Sequence, residues 1–209
     1  MSSQAPFLDE TFGVPAPADR LDRAVEALQS NGFVVHVVDG PDEARKLVGE
    51  LVSPDETVFT ASSETLRLSG ILADLDESGD FRSVRSGAGD LGDDLYARIR
   101  LGATPDVVVG SVHAVTEEGH VLVASASGSQ FAPYASGARR VVWVVGSQKI
   151  VPDLDTAVRR ARTHSLPKEW RRMQELAGQQ SFLAKMLIVE HEFLPERTTI
   201  VLVREPIGF

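Results

Sequence analysis

Four short segments carry the residue types that can do chemistry. The first is Thr60-Ala-Ser-Ser-Glu-Thr65, with hydroxyls at Ser62, Ser63 and Thr65. Small side chains let backbone approach a ligand, and a helix opening here would aim free N–H groups at a phosphate or carboxylate. The alternative is that Ser62 or Ser63 only caps that helix. The second is Gly110-Ser-Val-His-Ala-Val-Thr-Glu-Glu-Gly119. Glu117 or Glu118 in a cleft could serve as general base or nucleophile, and His113 could move a proton or donate a hydrogen bond. The competing reading is that Glu117-Glu118-Gly119 is a solvated hairpin turn. The third is Ser125-Ala-Ser-Gly-Ser-Gln130, where Ser127, Gly128 and Ser129 could turn backbone N–H groups toward an anion, or form a plain turn. It matches no Walker or dinucleotide glycine pattern. The fourth is Gly146-Ser-Gln-Lys-Ile-Val-Pro-Asp153. Lys149 could hold a phosphate or carboxylate; equally, Pro152 and Asp153 could simply start a helix.

The remaining polar residues form no complete constellation. His36 sits in an aliphatic strand and reads as a core or edge histidine. His164, His191 and Glu192 lack a third partner at metal spacing, so no metal site is expected. Arg139-Arg140 and Arg171-Arg172 read as solvated faces.

These segments need a scaffold, and the hydrophobic pattern supplies one. Leu21, Ala24, Val25 and Leu28 follow helical spacing, with Asp19 as a candidate cap and Asn31-Gly32 as the stop. Phe33–Val38 is a solid apolar run, typical of a strand covered on both faces. A second helix (Ala44, Leu47, Val48, Leu51) opens at Pro41, and a third carries Leu68, Ile71, Leu72 and Leu75. Leu91, Leu95 and Ile99 predict another helix, and Leu154, Ala157, Val158 and Ala161 one more. Further strands are predicted at 57–60, 81–84, 106–109, 141–145 and 199–203. Val112–Val115 and Val121–Val123 flank the acidic turn as a strand–turn–strand unit. Residues 166–186 read as helical or irregular. Alternating strands and helices imply an α/β fold: an open, mostly parallel sheet with helices on both faces. Its ligands would bind beyond the strand carboxyl ends, after Thr60, Gly110, Val123 and Val145. Residues 1–17 read as an N-terminal arm that packs late or stays loose, and 18–209 as one domain.

Composition narrows the function. The 209 residues carry 21 Lys and Arg against 30 Asp and Glu, a net charge of −9. Such a balance disfavours nucleic acid and anionic membranes as partners. With no cysteine, thiolate catalysis and cysteine-held iron–sulfur clusters are excluded. No secretory signal or apolar span is evident, so the expected location is cytoplasmic.

Three pieces in order resemble a known family. They are Asp106–Gly119, Ala138–Asp155 with its Ile150-Val-Pro-Asp-Leu-Asp155 stretch, and the closing Thr199–Phe209. Together they look like the LUD domain family of lactate-utilization proteins. The resemblance implies a fold akin to the ribose-5-phosphate isomerase, glucosamine-phosphate isomerase and CoA-transferase group, with its cleft over the strand carboxyl ends. Ser62, Ser63 and Thr65 would then form a phosphate-type loop, Glu117 or Glu118 the working carboxylate, and Ser127–Ser129 a second small loop. The chain departs from the family pattern at His113, where Asn is common, and at Gly128-Ser129-Gln130, where Gly-Asn-Arg is common. It also lacks the cysteine cluster that some relatives carry across the stretch matching 165–197. The implied role is lactate or organic-acid utilization through a small anionic ligand (an acyl-CoA, nucleotide or sugar phosphate), with isomerase- or CoA-transferase-like chemistry if it is an enzyme. The alternative is a non-catalytic accessory subunit of an oxidoreductase complex; a homodimer is also compatible.

Overall fold

The computed structural model describes residues 5–86 and 94–209. Six parallel strands form its main sheet: β1 (Val34–Val38), β2 (Thr57–Thr60), β3 (Arg82–Ser83), β4 (Val107–Gly110), β7 (Arg140–Gly146) and β10 (Thr198–Val203), in the order β1-β10-β7-β4-β2-β3. A second, mixed sheet has the order β8-β5-β6-β9, from β5 (Ala114–Thr116), β6 (Val121–Ser125), β8 (Ile150–Val151) and β9 (Lys185–Val189).

The aliphatic runs explain the main sheet. Side chains alternate across a strand, so a run buried on both faces needs two cores. Val108, Val141, Trp143, Val145, Ile200 and Leu202 face one core; Val107, Val109, Val142, Val144, Val201 and Val203 face the other. Helices α2 (Pro41–Leu51), α3 (Glu64–Leu68) and α4 (Ile71–Glu77) cover the second face. Helix α1 (Ala18–Ser30) covers the first face, sharing it with Val115, Val121, Val123 and Ile150 of the mixed sheet. The expected layer of helices is therefore partly a layer of strands.

Several local expectations are refined. The predicted third helix is two short ones, because Gly70 adopts a positive φ of 78° between them. Asp19 does not cap α1; Pro17 holds that position, and the Asp19 carboxylate instead accepts from Arg23 at 2.8 Å. Strand β1 is an edge strand with His36 exposed. Helix α5 spans Leu95–Leu101, while Leu91 lies outside the described residues. Strands β8 and β9 were not anticipated. Part of the N-terminal arm is docked: Phe12 is buried, and the Asp9 N–H donates to Thr163 O at 2.8 Å.

A corner between the two sheets positions everything that follows. Strands β4 and β7 pair in parallel in the main sheet, and β5 and β8 pair in parallel in the second. Each chain crosses by a short turn, Ser111–His113 in one case and Ser147–Lys149 in the other. The turns leave the sheet at Gly110 and Gly146, where a Cβ would meet Tyr134 Oη at 1.7 Å and Gln148 Oε1 at 2.2 Å respectively. Gly110→Ala is expected to destabilise the fold by roughly 1–3 kcal/mol through overpacking. In the Gly110→Ala/Tyr134→Phe double variant, denaturant unfolding should show a smaller loss than the sum of the singles; strict additivity would contradict this packing.

Candidate functional site

A cavity of about 440 Å³ opens at the corner, beyond the carboxyl ends of β2, β4 and β7. That volume lies in the range of small-molecule sites. Ser62 and Ser63 line it from the segment after β2, Ser111 and His113 from the first crossing turn, and Ser127 and Ser129 from the loop after β6. Lys149 reaches it from the second crossing turn.

Lys149 is buried, at 1% exposure. Its Nζ donates to Thr65 Oγ1 and to Ser111 Oγ, each at 2.9 Å. Those hydroxyls use their own protons on backbone: Ser111 Oγ donates to Val144 O at 2.7 Å and Thr65 Oγ1 to Ile207 O at 3.3 Å. Both are thus left to accept from the lysine. Arg160, on α6 (Leu154–Arg160), is fully buried behind the lining. It donates to the carbonyls of His113 and Gln148 and to Ser165 Oγ, and its Nη2 has no partner. Among the described residues neither cation has a carboxylate in ion-pair range, whereas the buried Arg197 pairs with Glu192 at 3.0 Å. Burial, aided by the Arg160 charge, pulls the Lys149 ammonium well below the usual lysine range. Burial alone lowers Arg160 to about 9.

His113 is partly buried and held in one tautomer. Its Nδ1 accepts from the Ala124 N–H at 3.0 Å, which leaves the ring proton on Nε2. Burial first, then the charges of Lys149 and Arg160, push its pKa down to about 3. At neutral pH it is an uncharged donor or acceptor.

The rim adds Arg85, whose Nε lies 3.9 Å from Asp76 Oδ2. Arg85 Nε donates to Thr60 O and Oγ1 at 2.7 and 2.9 Å, its Nη2 to Ser62 Oγ at 3.3 Å, and its guanidinium lies 5.2 Å from the Phe59 ring centre. The other rim arginines are likewise paired: Arg67 with Glu64 and Arg172 with Glu169. The opposite wall is a helix with a widened turn. Residues Ala161–Ser165 form a π-helical stretch between α6 and α7 (Leu166–Ala177), which brings Ala161 and Ser165 to the cavity.

The two small-residue loops and Lys149 therefore meet, but the acidic pair lies elsewhere. Strands β5 and β6 form an antiparallel hairpin whose open end carries His113 and Ser125 at the cavity. Glu117 and Glu118 occupy the tip, four residues beyond His113 or roughly 13 Å at about 3.3 Å per residue. Glu117 is bound there by Arg20 and Arg23 of α1, each at 2.7 Å, and the Arg23 contact foremost keeps its carboxyl below the ordinary range. Glu118 is exposed, and its carbonyl accepts from Asn31 Nδ2 at 2.9 Å. The tip packs this closely because Gly119, at φ 80°, has no Cβ to strike Ala27. Thr65 supports Lys149 from behind the lining, and Gly128 turns the loop at φ 80°. Ser63 also caps α3, its Oγ accepting from Leu66 N at 3.4 Å. Sequence reasoning missed Arg160 and Arg85, which sit in no recognisable motif; Ser111 stood within a chosen segment and was passed over. Among the described residues no group of three His, Asp or Glu side chains could hold a metal ion, and no helix is long and apolar enough to cross a membrane.

Comparison with known proteins agrees with this architecture. Residues 21–203 match the LUD domain. The chain belongs to the LUD domain family. A DUF162 family protein from Deinococcus radiodurans shares the fold at 13% identity, with a TM-score of 0.55 over 90% of this chain and 99% of that one. No curated protein matches the LUD domain chain in sequence.

The pH dependence of the site has a definite sign. Folded His113 titrates near 3, against an ordinary 6.5. Between those values the unfolded chain binds more protons, so the stability contribution is complete above the upper value and is lost as pH falls. His113→Gln is expected to flatten the stability profile between about pH 6.5 and about pH 4, where this group contributes at most roughly 1.4 kcal/mol per pH unit. Urea unfolding across that range checks it; an unchanged slope would contradict the assigned ring state.

Proposed function

We propose that this LUD domain protein takes part in lactate or related organic-acid utilization and binds a small organic anion at the corner cavity. One observation carries the reading. Lys149 and Arg160 are buried beside a cavity rich in hydroxyls, and neither has a carboxylate in range among the described residues. Uncompensated buried charge is costly, and a bound anion removes the cost. The serines after β2 and β6 and the Nε2–H of His113 supply neutral donors to the same space. The placement over the strand carboxyl ends also fits the cleft of the phosphosugar-isomerase and CoA-transferase group. A cavity of about 440 Å³ holds a ligand larger than lactate itself, which favours an acyl-CoA portion, a nucleotide or a sugar phosphate. Glu117 has no part in this site, being neutralised at the far end of the hairpin by Arg20 and Arg23.

Thermal denaturation with CoA esters, nucleotides, sugar phosphates and 2-hydroxy or 2-oxo acids tests the reading. A true ligand at about 100 times its dissociation constant should stabilise by about 2.7 kcal/mol, a rise of roughly 5–10 °C. Lys149→Met should abolish the shift, while Glu117→Gln should retain it. A flat screen, or a shift that survives Lys149→Met, would overturn the proposal. The flat result would favour an accessory subunit that acts through protein contacts.

A further inference from the structure

The hydrogen bonds around Lys149 leave one position of its nitrogen unused. Nζ has four substituent positions. One is the side chain, and two point at the acceptors Thr65 Oγ1 and Ser111 Oγ. Neither acceptor can return a proton, since Val144 O and Ile207 O take theirs. The fourth position has no acceptor among the described residues, and Lys149 lines the cavity. With an ammonium it holds a third N–H; with an amine it holds a lone pair. Among the described residues no carboxylate stabilises the ammonium, and Arg160, whose Nε donates to the adjoining Gln148 carbonyl, opposes it.

We infer that Lys149 forms an imine with a carbonyl-bearing organic anion, the class of 2-oxo acids and aldehyde acids. This rests on the anion-binding reading above and adds the covalent step to it. A desolvated lysine beside a second cation is the environment that makes an amine nucleophilic near neutrality. The Nζ lone pair forms the new C–N bond while the carbonyl π pair moves to oxygen. That oxygen leaves as water with two protons, one from Nζ and one from solvent. The iminium keeps a single N–H, which Ser111 or Thr65 accepts as it accepts from the amine. The anionic end of the ligand faces the hydroxyls of Ser62, Ser127 and Ser129, which line the same cavity.

The chain has three other lysines, Lys46, Lys168 and Lys185, and they serve as internal controls. Lys149 is the one that is fully buried. The intact protein is incubated with glyoxylate or pyruvate at neutral pH and reduced with borohydride. Hydride adds to the iminium carbon, leaving a secondary amine and a mass gain equal to the acid less one oxygen. Peptide mapping should place the adduct on Lys149 at least tenfold above each other lysine, and Lys149→Met should lose it. Thermal denaturation is run in parallel on the same samples. Equal labelling of all four lysines, or none at Lys149, overturns the imine. If the acids still raise the melting temperature in that case, anion binding stands without the imine; if they do not, the imine fails and the wider ligand screen alone decides anion binding. Should Lys149→Met not fold, competitive acetylation of the wild-type chain replaces it. Lys149 protected by the bound acid and reactive without it supports the inference; no change on adding acid overturns it.

Discussion

The corner where β4 and β7 leave one sheet and re-pair as β5 and β8 in another sets the rest of the structure. Strands that turn out of a ladder strand their carbonyls, and buried carbonyls need donors. Arg160 supplies them, reaching His113 O in one crossing turn and Gln148 O in the other. An arginine suits the task because one planar group offers several donors at fixed angles. Its charge is the cost of that geometry. Lys149 is different. Two hydrogen bonds to hydroxyls need only a neutral donor, so the corner's hydrogen bonding does not require a cation there. A residue that breaks a local rule without a structural return marks a functional position. This contrast separates a supporting cation from a working one.

The helix wall and the chain ends converge on the same corner. The π-helical stretch at Ala161–Ser165 carries Arg160 on its entry side and Ser165 at its exit, and the two side chains are joined by a hydrogen bond of 3.1 Å. It also turns His164 onto the Asp9 carbonyl at 2.7 Å, which pins the N-terminal arm. On the other side, the Gln148 side chain pairs with the tail as a strand would. Its Nε2 donates to Ile207 O at 2.9 Å, and its Oε1 accepts from Ile207 N at 3.3 Å. Ile207 O is also the acceptor for Thr65, which in turn supports Lys149. Perturbing arm or tail therefore reaches the lysine through two or three hydrogen bonds.

The sequence disclosed the main sheet because its strands are buried on both faces and read as solid aliphatic runs. Val141–Val145 and Thr199–Val203 show this most clearly, and they pair side by side as inner strands. The mixed sheet was harder to read. Ile150-Val151 is too short to show a period, and Lys185–Val189 is half-exposed, with its partner Val121 far away in sequence. Residue type revealed Lys149, but its burial and its missing counter-charge are properties of the corner. The position of Glu117 was within reach. Residues 110 and 125 both lie at strand carboxyl ends by the cleft, so a hairpin between them must carry its tip to the far end.

An acidic protein with a cationic cavity is not a contradiction. The net charge of −9 is spread over a solvated surface, where about 0.1 M salt screens interactions beyond roughly 10 Å. Lys149 and Arg160 act at short range through a medium that screens far less. The rim contributes little net field, since Arg67, Arg85 and Arg172 are matched by Glu64, Asp76 and Glu169. The potential therefore rises with depth. A ligand with one charged end enters with that end inward, toward the Lys149 side and the loop serines, and leaves its remainder against Phe59, Leu72 and Phe182. Depth, not overall charge, sets which end of a ligand meets the lysine.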